Sequence, residues 1–267
     1  MKTRITVIMG IYNCADTLVE SLESLEAQTY KKFKVILCDD GSKDNTLEVA
    51  QKWAEKHPNY IVIRNERNIK LAATLNHCLE YADTEYVARM DTDDLIAPTR
   101  FEKEIRKLDE GYDVVSCWSV LFWPNDDQLF CIKHRPETHE DIIKLAHKRS
   151  PVCHAGCVLR KQAVIDAGNY QACYLYEDYH LWVRMIMNGA RFYNIQEVLY
   201  YVRTSPALIA RRGGWKYMCN EIKTFRFFYN IGFYSRKDLL RNIITHSPVR
   251  ILPVWIRRSI LLRLWRC

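Results

Sequence analysis

Three aspartates fall within four residues at Asp91-Thr92-Asp93-Asp94, directly after the apolar run Glu85-Tyr86-Val87-Ala88-Arg89-Met90. Like charges that close raise one another's pKa unless a counter-charge relieves them. A divalent cation shared between one or two carboxylates and substrate phosphates would relieve them, the usual binding mode of Mg²⁺. A solvated turn is the other reading, since aspartate favours turns and helix caps. A second cluster, Asp39-Asp40-Gly41-Ser42, ends the run Lys34–Cys38. A carboxylate there can accept hydrogen bonds from a nucleobase or ribose, or simply cap the next helix. The third group is Glu177-Asp178, opening a helical pattern where the dipole alone would favour acids. Its neighbours Tyr174, Tyr176, Tyr179 and Trp182 suit a wall against which a sugar stacks.

The elements that must position these groups alternate. Ile5–Met9 reads as a buried strand broken at Gly10. Leu18, Leu22 and Leu25 recur at helical spacing after Asp16, a plausible N-cap, up to Gln28. Lys34–Cys38, Tyr60–Ile63 and Glu85–Met90 read as further strands. Helical patterns fill the intervals, through Trp53 to His57-Pro58 and from Leu71 to Tyr81. Short strands joined by helices imply right-handed βαβ units and a parallel sheet, whose ligands sit beyond the carboxyl ends of the strands. Two of those ends carry the aspartates. Further on, Pro98–Glu110 reads as a helix and Val114–Trp123 as a long strand. Residues 124–150 are polar with a helical patch around Ile142. Ala155–Leu159 reads as a strand, followed by a helix to Ala167-Gly168, and Glu177 to Asn188-Gly189 as a helix. After Arg203 the pattern turns aromatic and basic.

The chain has 267 residues, 48% apolar and 27% charged, which excludes a disordered or fibrous protein. No run of about 18 apolar residues predicts a membrane span, and the start lacks a secretory signal pattern. The ten cysteines are scattered without a Cys-x-x-Cys pair, so reduced thiols in the cytoplasm are expected. Cys153, His154 and Cys157 hint at zinc, but no second pair completes four ligands. From residue 200 onward fourteen Lys or Arg face two acids, Glu221 and Asp238. That segment carries +12 and the rest −5, within a net +7. Such a tail favours an anionic surface. Trp255, Trp265 and the terminal arginines point to lipid head groups, with a packed C-terminal helix as the alternative. No recognition motif supports nucleic acid, and nothing in the sequence specifies an oligomer.

Taken in register, these motifs resemble the family 2 glycosyltransferases. They are Val7–Asn13, Gln28-Thr29-Tyr30, Asp39-Asp40-Gly41-Ser42 with Asp44, Leu75-Asn76, Asp91-Thr92-Asp93-Asp94, and Glu177-Asp178 with Leu181-Trp182 and Arg184. The likeness spans roughly residues 4–203 and is greatest to bacterial enzymes of exopolysaccharide, capsule or lipopolysaccharide synthesis. It implies an α/β GT-A fold: a Rossmann-like nucleotide-binding half over 1–100 with a mostly parallel central sheet, an acceptor half over 101–205, and a basic extension over 206–267. It further implies inverting transfer from a nucleoside-diphosphate sugar, a UDP-sugar in most members, to a glycan or lipid-linked acceptor. Gly10, Tyr12, Asn13, Asp40, Lys70, Asp91 and Thr92 would then line the nucleotide-sugar site. Asp93 would hold Mn²⁺ or Mg²⁺, and Asp178 would act as general base with Glu177 beside it.

Gly10 stands where the family usually has proline, and Ile69 where a glycine usually follows the asparagine equivalent to Asn68. Arg211-Arg212-Gly213-Gly214-Trp215 lacks the Q-x-x-R-W pattern of processive synthases, so addition of a single sugar is expected. A nucleotidyltransferase also uses metal-bound aspartates beside a parallel sheet, but its glycine-rich first loop is missing. A catalytically inactive carbohydrate-binding relative is the remaining alternative.

Overall fold

A computed structural model describes residues 3–123, 126–173, 175–204 and 213–257. Its frame is one nine-stranded sheet in the order β3-β2-β1-β4-β8-β6-β9-β5, with β7 paired to β6. The first four strands are β1 (Ile5–Ile11), β2 (Phe33–Asp39), β3 (Tyr60–Arg64) and β4 (Tyr86–Arg89), all parallel. They are linked by α1 (Ala15–Glu26), α2 (Thr46–Lys56) and α3 (Leu71–Tyr81). β1 is buried on both faces, as a central parallel strand must be. Ile5, Val7, Met9 and Ile11 join the core under α1, α2 and α4 (Arg100–Asp109). Ile8 points to the opposite core, under α3 and α7 (Glu177–Met187).

Beyond β4 the directions mix. β6 (Val114–Trp123) runs antiparallel to β7 (Asp126–Lys133) and β8 (Cys157–Arg160), and parallel to β9 (Phe192–Arg203). β5 (Leu95–Ile96) pairs only with β9. The sequence pattern missed β9: its burial breaks alternation because both faces are partly covered and its register shifts at Trp118. It also missed β7, whose segment is too polar for a buried-strand signal. α5 (His139–Ala146) and α6 (Lys161–Asp166) complete this half. The first helix starts at Ala15 with Cys14 as its N-cap, so Asp16 lies in the first turn instead of capping it.

The aromatic, basic segment forms two helices, α8 (Trp215–Asn230) and α9 (Arg236–Ile251). A capping box of Ser235 and Asp238 starts α9. Tyr217, Phe225, Phe228 and Tyr234 pack against Tyr176, Tyr179 and Val183, so both helices lie on α7. Residues 258–267, with Trp265 and the last arginines, lie outside the described residues, as do Arg211 and Arg212. Among the described residues no helix is long and apolar enough to cross a membrane.

Candidate active site

The carboxyl ends of β1, β2 and β4 meet as expected. After β1, Asn13 adopts a left-handed backbone (φ 48°). Its N–H donates to Ser42 Oγ (3.1 Å) and its Oδ1 accepts from the Lys43 N–H (2.8 Å), locking this loop to the one after β2. Tyr12 is left exposed. A Cβ on Gly10 would meet the Thr74 methyl at 3.1 Å, so glycine there lets α3 lie close against β1.

Asp40 is buried. Its Oδ1 accepts from Asn65 Nδ2 (2.9 Å) and the Ile69 N–H (2.8 Å), and its Oδ2 from the Lys70 N–H (3.0 Å). These three donors fix the loop before α3, while Oδ2 retains a lone pair. The glycine-favouring backbone of that loop falls on Lys70 (φ 74°, ψ 159°), not on Ile69. A lysine in a region nearly reserved for glycine stores strain of order 1–3 kcal/mol. Its side chain is solvent-exposed at the start of α3.

After β4, ligand oxygens of Asp91, Asp93 and Asp94 all lie within 4.8 Å of one another. Asp94, which the sequence reading left unassigned, is buried. Burial first, then Asp91 and Asp93, push its carboxyl well above the usual range, although the Arg203 N–H donates to it (2.8 Å). Arg89 Nη1 lies 2.5 Å from Asp91 Oδ1 as an ion pair without hydrogen-bond geometry. Tyr200 Oη accepts from the Asp91 N–H (3.1 Å), and Thr92 touches the Cys14 thiol. Arg100 Nη2, fully buried, donates to the Arg89 and Cys157 carbonyls (3.3 and 3.1 Å) and ties β4 to β8 beneath the turn. Three converging carboxylates fit a hard divalent cation.

The fold carries Glu177 and Asp178 to the same place: Glu177 interacts electrostatically with Asp178, Arg89 and Asp91. Burial, then Asp178, pushes the Glu177 carboxyl up to about 7. Asp178 Oδ2 accepts from Ser150 Oγ (3.0 Å), a partner that no sequence signal announced. Just upstream, Leu175 has φ 58°, so backbone strain recurs on this side of the site too.

The expected aromatic wall is corrected. Tyr176, Tyr179 and Trp182 are buried, facing the cores under α8 and the sheet, because α7 must cover both; Tyr174 lies outside the described residues. The thiols are free among the described residues, and no zinc site forms. Cys157 Sγ donates to the His154 carbonyl, and His154 Nε2 bonds Tyr170 Oη (3.0 Å).

Residues 6–168 match the model of Glycosyl transferase family 2. The chain belongs to glycosyltransferase family 2. It is 34% identical over 255 residues to the amylovoran biosynthesis glycosyltransferase AmsE of Erwinia amylovora, covering 92% of this chain and 96% of that one. It is equally identical over 262 residues to the Escherichia coli UDP-Gal:α-D-GlcNAc-diphosphoundecaprenol β-1,3-galactosyltransferase, covering 95% and 94%. A mannosyltransferase from Pyrobaculum calidifontis, solved with GDP-Man and Mn²⁺, matches with a TM-score of 0.70 at 19% identity, covering 98% and 76%; at that identity it speaks for the fold, GT-A. Membership removes the nucleotidyltransferase alternative. In this family 2 enzyme the match stops short of α7, so Glu177 and Asp178 rest on geometry and on the order of motifs.

Proposed function

We propose that this glycosyltransferase inverts configuration in one displacement, moving one sugar from a nucleoside diphosphate, a UDP-sugar, to a lipid-linked or glycan acceptor in bacterial surface-polysaccharide synthesis. The observation that carries the reading is the convergence of the strand-end carboxylates with those opening α7. Gly10, Tyr12, Asn13, Asp40 and Lys70 would bind the nucleotide from the ends of β1 and β2, with Asp91 and Thr92 toward the ribose. Asp93, with Asp91 and Asp94 beside it, would hold Mn²⁺ or Mg²⁺, which when bound neutralises charge on the departing diphosphate.

Asp178 accepts the proton as the acceptor O–H bond breaks. The freed oxygen forms its bond to the anomeric carbon from the face opposite the diphosphate. The C–O bond to the diphosphate breaks, and its electron pair leaves with the nucleotide. Ser150 orients the carboxylate, and Glu177, its carboxyl raised to about 7 by burial and by Asp178, carries less negative charge beside the base than an ordinary glutamate would.

The relative that acts on a diphosphoundecaprenol-linked sugar supports a lipid-linked acceptor and peripheral contact with the cytoplasmic face of an anionic membrane, which the +12 segment favours. A donor-hydrolysis screen of nucleotide sugars with Mn²⁺ or Mg²⁺, reading released nucleotide, tests the reaction class. No release from any of them, or full activity in excess EDTA, would contradict it.

A further inference from the structure

A groove of about 290 Å³ lies around the end of α5, lined by His134, Pro136, Asp141, Lys144, Leu145, Lys148 and Arg149. Lys144 is paired with Asp141 (2.7 Å). Lys148 and Arg149 are exposed, and no ion pair or hydrogen bond among the described residues engages their side chains. Basic residues after a helix complement its dipole, which accounts for their tolerance there. It does not account for how firmly the turn is held. The His147 carbonyl accepts from Arg241 Nη2 (2.5 Å) and Asn242 Nδ2 (2.9 Å), and the Ser150 carbonyl from Arg135 Nη1 (3.2 Å). The two free cations thus sit on a pinned turn, next in sequence to the serine that donates to Asp178.

On the other side of the turn is α9, which supplies Arg241 and Asn242. Beginning at the neighbouring residue, its outer face presents Leu240 (60% exposed), Ile244 (69%) and Ile251 (54%) one to three turns apart, and Trp255 (71%) follows. The turn therefore joins Asp178, through Ser150, to α9, whose face directed away from the turn carries the exposed apolar stripe. That is the order of parts in a sugar joined through a diphosphate to a lipid.

We propose that Lys148 and Arg149, with His134 and Lys144 flanking them, bind the diphosphate of a lipid-linked acceptor whose sugar lies at Asp178 and whose lipid follows the α9 stripe. This deepens the proposed function and rests on Asp178 marking the acceptor side. Two charge-assisted contacts fit a diphosphate, and each is strong enough to be read in binding. The turn recognises a phosphate ester; an acceptor's diphosphate and a membrane head group are its two sources.

Titration calorimetry on the full chain, with the donor site filled by UDP and Mn²⁺ and no vesicles present, uses geranyl diphosphate as the probe. The wild type should bind it, and the double variant Lys148→Ala/Arg149→Ala should bind at least about tenfold more weakly, with UDP affinity unchanged. Asp178→Asn should leave this binding intact. If that variant also keeps full turnover, the role of the base falls while the diphosphate assignment stands. Equal affinity in wild type and double variant would overturn the assignment. So would displacement of the probe by UDP, which would place it in the donor site. A charge effect seen only on phosphatidylglycerol vesicles would assign the turn to membrane head groups instead.

Discussion

The two sides of the active site are built by opposite means. On the proposed donor side, the loops after β1 and β2 are fixed by partners close to them in the sheet, Asn13 by the loop after β2 and Asp40 by the loop before α3, while the acidic turn after β4 also leans on Tyr200 and Arg203 of β9. On the acceptor side, the carboxylates are held from far along the chain. Tyr176, the residue before Glu177, donates its hydroxyl to Glu221 of α8, which is fully buried. Arg250 of α9 donates to the same oxygen through Nε (3.0 Å) and Nη2 (2.8 Å), and its guanidinium lies 4.7 Å from the Tyr217 ring centroid. One side is local except at its acidic turn, and the other is a clamp closed by the last helices. The basic extension thus helps to hold the segment that opens α7.

Substitutions should separate the two sides. Asp178→Asn removes the proposed proton acceptor and keeps the shape, so turnover should fall by about 10²–10⁴-fold with donor affinity unchanged. Steady-state kinetics with donor binding measured separately would show it. If Glu177→Gln is the inactive variant and Asp178→Asn is not, the two roles are exchanged. Glu221→Ala strands Arg250 and the Tyr176 hydroxyl in a buried site and should cost about 3–5 kcal/mol of folding stability. Urea denaturation would measure it, and a loss below 1 kcal/mol would mean that the clamp is not closed in solution. Removing residues 247–267 also removes Arg250. Such a truncation should therefore weaken the acceptor side as well as any membrane contact, and donor hydrolysis alone would not report on the tail.

The pH dependence is smaller. With its carboxyl raised from 4.5 to about 7, Glu177 keeps in the folded protein a proton that the unfolded chain releases. The contribution of Glu177 to stability should then be greatest below pH 4.5 and decline as pH rises to 7, by at most about 3 kcal/mol. Denaturation midpoints in EDTA at pH 5 and 7 should differ more for the wild type than for Glu177→Gln; the same slope in both would assign the effect elsewhere. The smallest change belongs to the donor side. Lys70→Gly relieves a backbone suited to glycine and should gain about 1 kcal/mol, offset in part by a freer unfolded chain. It should raise the donor KM if the ammonium meets the nucleotide, and an unchanged KM would leave Lys70 as a structural accident.

The same contrast explains what the sequence made legible. The βαβ order, the strand-end aspartates and the α7 acids could be read because each is a short pattern whose meaning is local. Ser150 and Glu221 could not, since a lone serine after a polar stretch and one glutamate in a basic helix carry no spacing signal. Trp182 and Tyr179 misled for the same reason: aromatic residues beside acids read as a binding wall, but which face of α7 they take is decided by α8 and the sheet. Lys70 lay one residue from where the glycine position was sought, and only its dihedral angles reveal it.

The order β4-β8-β6-β9-β5 also has a consequence in time. The parallel unit β1 to β4 can assemble once about ninety residues have left the ribosome. β5 has no strand partner until β9, about a hundred residues later, and the contacts of Tyr200 and Arg203 to the acidic turn come from that same strand, while Ser21 of α1 holds the Asp94 carbonyl. During synthesis the cluster of aspartates is consequently the last part of the donor side to take form. Pairings so distant in sequence are slow to close, so a nascent chain passes through an interval in which a nucleotide could find its cradle before the carboxylates beside it are in position.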